Sequence, residues 1–352
     1  MKGLVLAGGS GTRLRPLTHG GAKQLVPVAN RPILFYALDT LVEAEILDIG
    51  VVLSPETGAE VRAAVGDGSA WGARVDYIVQ DRPGGLAHAL MTARAFVGDD
   101  DTCMFLGDNL IGMSLRETLA SFAREPGCAA SVLLKEVVDP RRFGVAELDA
   151  QGRLIGLVEK PMVPRSNLAL VGIYLFRSVI FDAIGEITPS PRGELEITDA
   201  ISRLLVRGER VRCERIDSWW LDTGKKDDLL HANAIILEDR LVHDVRGAVD
   251  EESRVSGRVR LEEGATVVRS TIRGPVAIGR GARIVDASIG PLTSIGDDVV
   301  IERSGVARSV VLAGGRIVDV PRLVDSVIGR RVVVQRGAGI SLLVGDDCSI
   351  EL

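Results

Sequence analysis

A short apolar repeat in the last third of the chain limits the folds open to it more than any other feature. Val255, Leu261, Val267, Ile272, Ile278, Ile284, Ile289, Ile295, Ile301 and Val306 follow one another at intervals of six, six and five residues, three times over. The period is 17 residues, seen as Val255/Ile272/Ile289/Val306 and as Leu261/Ile278/Ile295/Leu312. Gly279, Gly290 and Gly296 directly follow their isoleucines, in the manner of a hexapeptide repeat. Segments this short cannot form the alternating strands and tight hairpins of a β-sandwich. They can be buried by stacking each period on the next, as a three-sided coil of short parallel strands. The register slips after about Ser309, so the last coils are the least regular.

Composition divides the chain near the same place. All 13 aromatic residues lie at or before Trp220, the last lysine is Lys226 and the last histidine is His243. The expected domains are residues 1–240 and a β-helix at 241–352, bridged by the helix-spaced Asp227–Leu241. A length of 352 residues suits two domains. A net charge of −6 argues against a nucleic-acid partner held by charge. Cys103, Cys128, Cys213 and Cys348 show no CxxC spacing, which suits reduced thiols in the cytoplasm. The apolar run before Gly8 is too short for a secretory signal, and no stretch suits a membrane span.

In the first domain, strand-like runs alternate with helix-spaced segments. Gly3–Ala7, Ile49–Leu53, Val75–Val79, Thr102–Leu106 and Ala130–Leu134 read as strands. Ile33–Ala44, Ala59–Val65, Leu86–Phe96 and Leu115–Ala123 read as helices. The alternation predicts an α/β fold with a doubly wound, mostly parallel sheet, whose ligands sit beyond the carboxyl ends of the strands.

The first strand ends in a glycine-rich loop, LVLAGGSGTRLR, at Leu4–Arg15. Gly8, Gly9 and Gly11 let backbone N–H groups wrap a phosphate, and Arg13, Arg15 and Lys23 add positive charge. This is neither a P-loop, which needs Lys then Ser or Thr after its second glycine, nor a dinucleotide fingerprint, which needs Gly or Ala where Leu14 stands.

The run Gly8–Thr18, with Lys23–Val28 (KQLVPV) after it, resembles the signature of the sugar-1-phosphate nucleotidylyltransferases. The likeness extends through Gly107-Asp108-Asn109, Phe143-Gly144-Val145, LVEKP at Leu157–Pro161, LVGIYL at Leu170–Leu175, GELEITD at Gly193–Asp199 and SWWLDTG at Ser218–Gly224. It implies that Leu6, Gly8, Gly9, Gly11, Thr12, Gln80, Pro83 and Gly85 bind the nucleotide. Gln80 would read a pyrimidine edge with its amide, which both donates and accepts. Asn109, Gly144, Glu159, Lys160 and Val171 would bind the sugar and its phosphate, while His88 would lie behind the Gln80 and Gly-Leu-Ala segment or be exposed. Arg13, Lys23 and Lys160 would be the catalytic cations, and Asp108 and Asp222 the ligands of Mg²⁺.

The resemblance is closest to the long form of the family, with a left-handed β-helix. It implies transfer of a nucleotidyl group from dTTP to glucose 1-phosphate, giving dTDP-glucose and pyrophosphate. Uridylyl transfer or another sugar-1-phosphate nucleotidylyl transfer (adenylyl or guanylyl), and a non-catalytic regulatory homologue, are the alternatives. Some relatives carry an acetyltransferase β-helix with a catalytic histidine, which this β-helix lacks after His243. An assembly or regulatory role in a homo-oligomer is expected instead, and a chain ending near Leu241 would retain every candidate phosphate and metal group.

Overall fold

The computed structural model describes residues 1–9, 11, 14–15, 17–18 and 21–335. It contains two compact units, one of Met1–Ser10 with Leu34–Leu221, the other of Gly11–Ile33 with Asp222–Leu352. The early segment Gly11–Ile33 thus belongs with the β-helix, although sheet-forming residues flank it in sequence.

In the first unit, Arg74–Val79, Asp48–Leu53, Lys2–Ala7 and Thr102–Leu106 lie side by side and parallel, in that order. The next strand, Leu168–Phe176, runs antiparallel to Thr102–Leu106 and to Cys128–Glu136, and Arg210–Arg215 pairs parallel at the far edge. The antiparallel pair Gly144–Leu148 and Leu154–Glu159 joins Leu168–Phe176 through Val145. The sheet is therefore parallel in its first half and mixed in its second.

Strands such as Lys2–Ala7 and Asp48–Leu53 are buried at all but their first residue, so both faces must be covered. Helices including Gly58–Val65, Leu86–Thr92, Arg116–Ala123 and Ile197–Val206 supply that cover. Leu4, Leu90, Met104, Val132, Phe176 and Ile201 form part of one continuous core. The helix expected over Leu86–Phe96 is interrupted at Ala93 and resumes as Arg94–Val97.

From Lys2–Ala7 the chain builds outward through Asp48–Leu53 to Arg74–Val79, then crosses back to lay Thr102–Leu106 on the other side. This reversal makes the carboxyl ends of Lys2–Ala7 and Thr102–Leu106 a topological switch point, where open α/β sheets hold ligands. The two ends are joined there, the Gly107 amide donating to Leu6 O at 3.0 Å.

The second unit holds three stacked parallel sheets, one for each side of a β-helix. Val255 pairs with Ile272, Ile272 with Ile289, and Ile289 with Val306, at the expected 17-residue spacing. Leu261, Ile278 and Ile295 stack likewise. The next partner of Ile295 is Val311 rather than Leu312, because five residues separate Val306 from Val311 where earlier coils have six. One 16-residue coil thus accounts for the slip. The 17-residue spacing returns at Val306 with Leu323.

Left-handed residues mark the corners. Gly264, Gly281, Asp298, Gly314 and Arg331 fall at one, Arg269, Asp286, Arg303 and Asp319 at a second, and Leu292, Arg308 and Asp325 at a third. Facing charges are paired from coil to coil, as in Arg269–Asp286 at 2.7 Å and Arg308–Asp325 at 2.7 Å. The interior is aliphatic, built from Val267, Ile272, Ile284, Ile289, Ile301 and their neighbours. No helix among the described residues is long and apolar enough to cross a membrane.

Candidate functional site

The candidate residues fall into two groups, each within one unit. In the sheet unit, Leu6 is buried in the strand leading to Gly8 and Gly9. Gln80 follows the strand Arg74–Val79 and is also buried, its backbone N–H donating to Leu53 O at 2.8 Å. A Cβ on Gly8 would lie 3.4 Å from Gln80 Oε1, so the amide faces the glycine loop. His88 Nδ1 lies 2.8 Å from Gln80 Nε2, which also donates to Gly85 O at 3.3 Å. His88 thus orients the amide, rather than standing exposed.

Gly85 is required by its surroundings. Its φ is +95°, and a Cβ there would lie 2.5 Å from Leu195 O. Leu195 holds both sides of the turn, donating to Gly84 O at 2.7 Å and accepting from Ala87 N at 3.1 Å. The GELEITD segment therefore braces the Gly-Leu-Ala turn. Pro83 is exposed, two residues before Gly85.

At the switch point, Asp108 follows Gly107, and Asn109 Nδ2 donates to Asp108 Oδ1 at 3.0 Å. Asn109 Oδ1 accepts from Trp220 Nε1 at 2.7 Å, so the side chain is fixed from two directions. Trp220 in turn packs against Phe143, ring centroids 5.0 Å apart. Gly172 gives this amide room, since a Cβ there would lie 2.7 Å from Asn109 Oδ1 and 2.6 Å from Leu106 Cδ1. Val171, just before it, is fully buried.

Glu159 ends the strand Leu154–Glu159 opposite Gly144. Its Oε1 meets Lys160 Nζ at 3.1 Å and Arg192 Nη1 at 3.5 Å, while Oε2 accepts from Thr198 Oγ1 at 3.4 Å. Lys160 has φ +42°, costly for a side chain with a Cβ, and its amide is held by Phe143 O at 3.0 Å. Burial, with help from Glu159 and Glu194, raises the Glu196 carboxyl above its ordinary value against the pull of Ser190 and Arg192. Asp199 is raised by burial and by Glu159. Arg192 escaped the sequence reading as an ordinary surface charge, whereas Glu196, Thr198 and Trp220 fell inside the GELEITD and SWWLDTG segments without a role of their own.

In the second unit, Lys23 is 7% exposed and begins the tight turn Lys23–Leu25. Gly11 O accepts from Thr18 Oγ1 at 2.7 Å and from Leu14 N at 3.0 Å, closing the glycine loop ahead of Lys23. Gln24 is 2% exposed, and its Oε1 has no hydrogen-bond partner among the described residues, an acceptor that a ligand donor would satisfy. Nothing in the sequence marks Gln24 out from its neighbours. Asp222 belongs to this unit, at its second entry into the chain. Thr12 and Arg13 lie outside the described residues.

Asp108 and Asp222 offer carboxylate oxygens, the hard donors that Mg²⁺ selects, and both are half-buried. The donor chemistry fits that ion. Among the described residues, no group of three or more His, Cys, Asp or Glu forms a denser metal cluster. The described cysteines are free thiols, and burial pushes Cys103 up to about 12.

Residues 2–239 match the Nucleotidyl transferase family model. A glucose-1-phosphate thymidylyltransferase of Streptomyces griseus is 49% identical, covering 95% of this chain and 93% of that protein. One of Streptomyces antibioticus is 47% identical over 100% of this chain and 99% of its own length. Among solved structures, a Bacillus anthracis protein described as a glucose-1-phosphate thymidylyltransferase, crystallised with sucrose, matches with a TM-score of 0.63 and 40% identity. That match covers 67% of this chain and 94% of the other.

Proposed function

Because the chain belongs to the nucleotidyl transferase family, we propose that it transfers the thymidylyl group of dTTP to glucose 1-phosphate, giving dTDP-glucose and pyrophosphate. The observation that carries this reading is the 47% identity over 100% of the chain, β-helix included, to a glucose-1-phosphate thymidylyltransferase. An oxygen of the sugar phosphate attacks the α-phosphorus. The bond from that phosphorus to the bridging oxygen of the β-phosphate breaks, and pyrophosphate leaves with the electron pair. The attacking phosphate is already ionised near neutral pH, so no general base is needed, and catalysis rests on positioning and charge neutralisation.

The residues divide that work. Gly8 and Gly9 present backbone N–H groups to the triphosphate, and Gln80, held by His88 and Gly85, reads the pyrimidine edge. Lys23 neutralises the triphosphate, Arg13 grips the departing pyrophosphate, and Lys160 meets the sugar phosphate. Asn109, Gly144, Glu159 and Val171 form the sugar side. Asp108 and Asp222 would hold Mg²⁺, which when bound supplies positive charge next to the reacting phosphate. We further read the chain as cytoplasmic, from its scattered cysteines, and as a homo-oligomer, in which a second copy would cover aliphatic coils and strand edges of the β-helix.

The test is pyrophosphate release from a panel of nucleoside triphosphates and sugar 1-phosphates. We expect dTTP with glucose 1-phosphate to turn over fastest. A methyl group gives a hydrophobic pocket only about 1–3 kcal/mol, so slower use of UTP is compatible. Faster use of UTP would reassign the base, and no turnover with any pair would make the chain a non-catalytic homologue.

A further inference from the structure

The segment that carries Lys23 is fastened to the β-helix. After the turn Lys23–Leu25, the chain forms a small hairpin, Pro27–Val28 against Arg31–Pro32, with Ala29 and Asn30 as its two-residue tip. Both tip residues are left-handed, Ala29 with φ +49° and Asn30 with φ +63°. A two-residue hairpin turn demands this, but it is a position for Asn-Gly or Asp-Gly. An alanine there is strained and persists only where its surroundings fix it.

The surroundings do so from three directions. Ala29 N donates to Asn233 Oδ1 at 2.9 Å, and Ala29 O accepts from Arg260 Nη2 at 2.7 Å. Asn30 Nδ2 donates to Ile295 O at 2.6 Å. Asn233, on the helix Lys226–Arg240, is fully buried. Its Oδ1 also accepts from Ser294 Oγ at 2.6 Å, and its Nδ2 donates to Leu292 O at 3.1 Å. One amide thus ties the hairpin tip to a single coil of the β-helix. The coil is shaped for it. On the side built from Val259–Leu261, Val276–Ile278 and Thr293–Ile295, the middle residues are Arg260, Ala277 and Ser294. Ala277 and Ser294 are fully buried, while Arg283 and Arg316, the first residues of strands on another side, are exposed.

We propose that Asn233 is a positioning residue that latches the Ala29–Asn30 tip to the β-helix and so holds Lys23 at the depth where it meets the triphosphate. This rests on the reading of Lys23 given above. Under it the β-helix takes part in building the catalytic apparatus, and a chain ending at Leu241 would lose Arg260, Leu292, Ser294 and Ile295, four of the groups that hold the tip or its amide.

The test is a double-mutant cycle on the full-length enzyme, Asn233→Ala with Lys23→Ala, read as kcat, as KM for each substrate and as melting temperature. A displacement of about 1 Å can cost on the order of 100-fold in rate, so Asn233→Ala should lower kcat at least about tenfold, well below its melting temperature. On top of Lys23→Ala it should lower kcat less than about twofold, because a residue acting through another is not additive with it. Asn30→Gly removes the bond to Ile295 while easing the left-handed turn. It should fold at least as well as the wild type and still slow kcat, which covers the case in which Asn233→Ala fails to fold. Full additivity of Asn233→Ala and Lys23→Ala, or wild-type kcat in Asn30→Gly, overturns the latch. Wild-type activity in Lys23→Ala alone overturns both the latch and the role of Lys23, and is distinguishable because it appears in the single variant.

Discussion

The two units support their functional residues in different ways. In the sheet unit, Gly8, Gln80, Asp108 and Glu159 each follow or end a strand, so ladder hydrogen bonds fix the backbone that carries them. Side-chain bonds then only set orientation, as His88 does for Gln80 and Trp220 for Asn109. In the other unit, Lys23 sits on a three-residue turn rather than at the end of a strand. The hairpin that follows it has a strained tip, bonded to the buried amide of Asn233. A side chain lost beside a ladder leaves the ladder in place, whereas loss of the Asn233 amide removes the bonds to Ala29 N, Ser294 Oγ and Leu292 O together.

The largest effect is expected at the switch point. Asp108→Ala should reduce kcat by about 100- to 1,000-fold, the usual loss when one electrostatic stabiliser is removed, with the melting temperature little changed. Steady-state rates at saturating Mg²⁺ check this, and a near-normal kcat would remove Asp108 from the metal site. Next comes Gly172→Ala, where the new Cβ must displace Asn109 Oδ1 or Leu106. We expect KM for glucose 1-phosphate to rise about tenfold through misplaced sugar contacts, with KM for dTTP unchanged. Equal rises in both would show that the strand as a whole had moved. A smaller effect is expected from His88→Ala, which frees the Gln80 amide. Discrimination between dTTP and a purine triphosphate should fall severalfold while kcat with dTTP stays within about twofold. Unchanged discrimination would mean that the ladder alone orients Gln80.

The smallest effect is on stability, and its sign differs between the units. Asp199 and Glu196 have folded-state values raised chiefly by burial. Each therefore costs nothing below the ordinary carboxylate range, and its cost grows as pH rises from the ordinary value to the raised one and is full above it. Asp199→Asn should accordingly raise the melting temperature at pH 7, with the gain vanishing below about pH 4. The corner carboxylates Asp286 and Asp319 are lowered by hydrogen bonds from Arg269 and Arg303, so their contribution is present at neutral pH and lost on acidification. Asp286→Asn should lower the melting temperature slightly at pH 7 and not in acid. Melts of both variants across that range check the opposite signs.

The sequence showed what periodicity and strand ends can show. The apolar run to Ala7, the strand Thr102–Leu106 before Asp108, and the repeat through Val306 all stand where expected, because burial on one side of a coil or both faces of a sheet dictates them. The shortened coil was visible only as a slip, since one deleted corner residue leaves every strand apolar. The latch was hidden for a different reason. Ala29-Asn30 is a poor turn sequence whose strain is offset only by distant partners, and Asn233 has the spacing of an ordinary polar helix residue. Neither the 204 residues between Ala29 and Asn233 nor the 61 between Asn233 and Ser294 leave a local signal.

The dependence of the Lys23 segment on the β-helix can be read directly at one amide. Ala29 N–H is bonded to Asn233 Oδ1, so its hydrogen exchange reports the latch, while Gly107 N–H, bonded to Leu6 O, reports the sheet in the same sample. In full-length Asn233→Ala we expect exchange at Ala29 to accelerate at least about tenfold, as local opening replaces a closed bond, with Gly107 unchanged. Equal protection of Ala29 in the variant and the wild type would show that the hairpin tip is held without Asn233, and would contradict the latch.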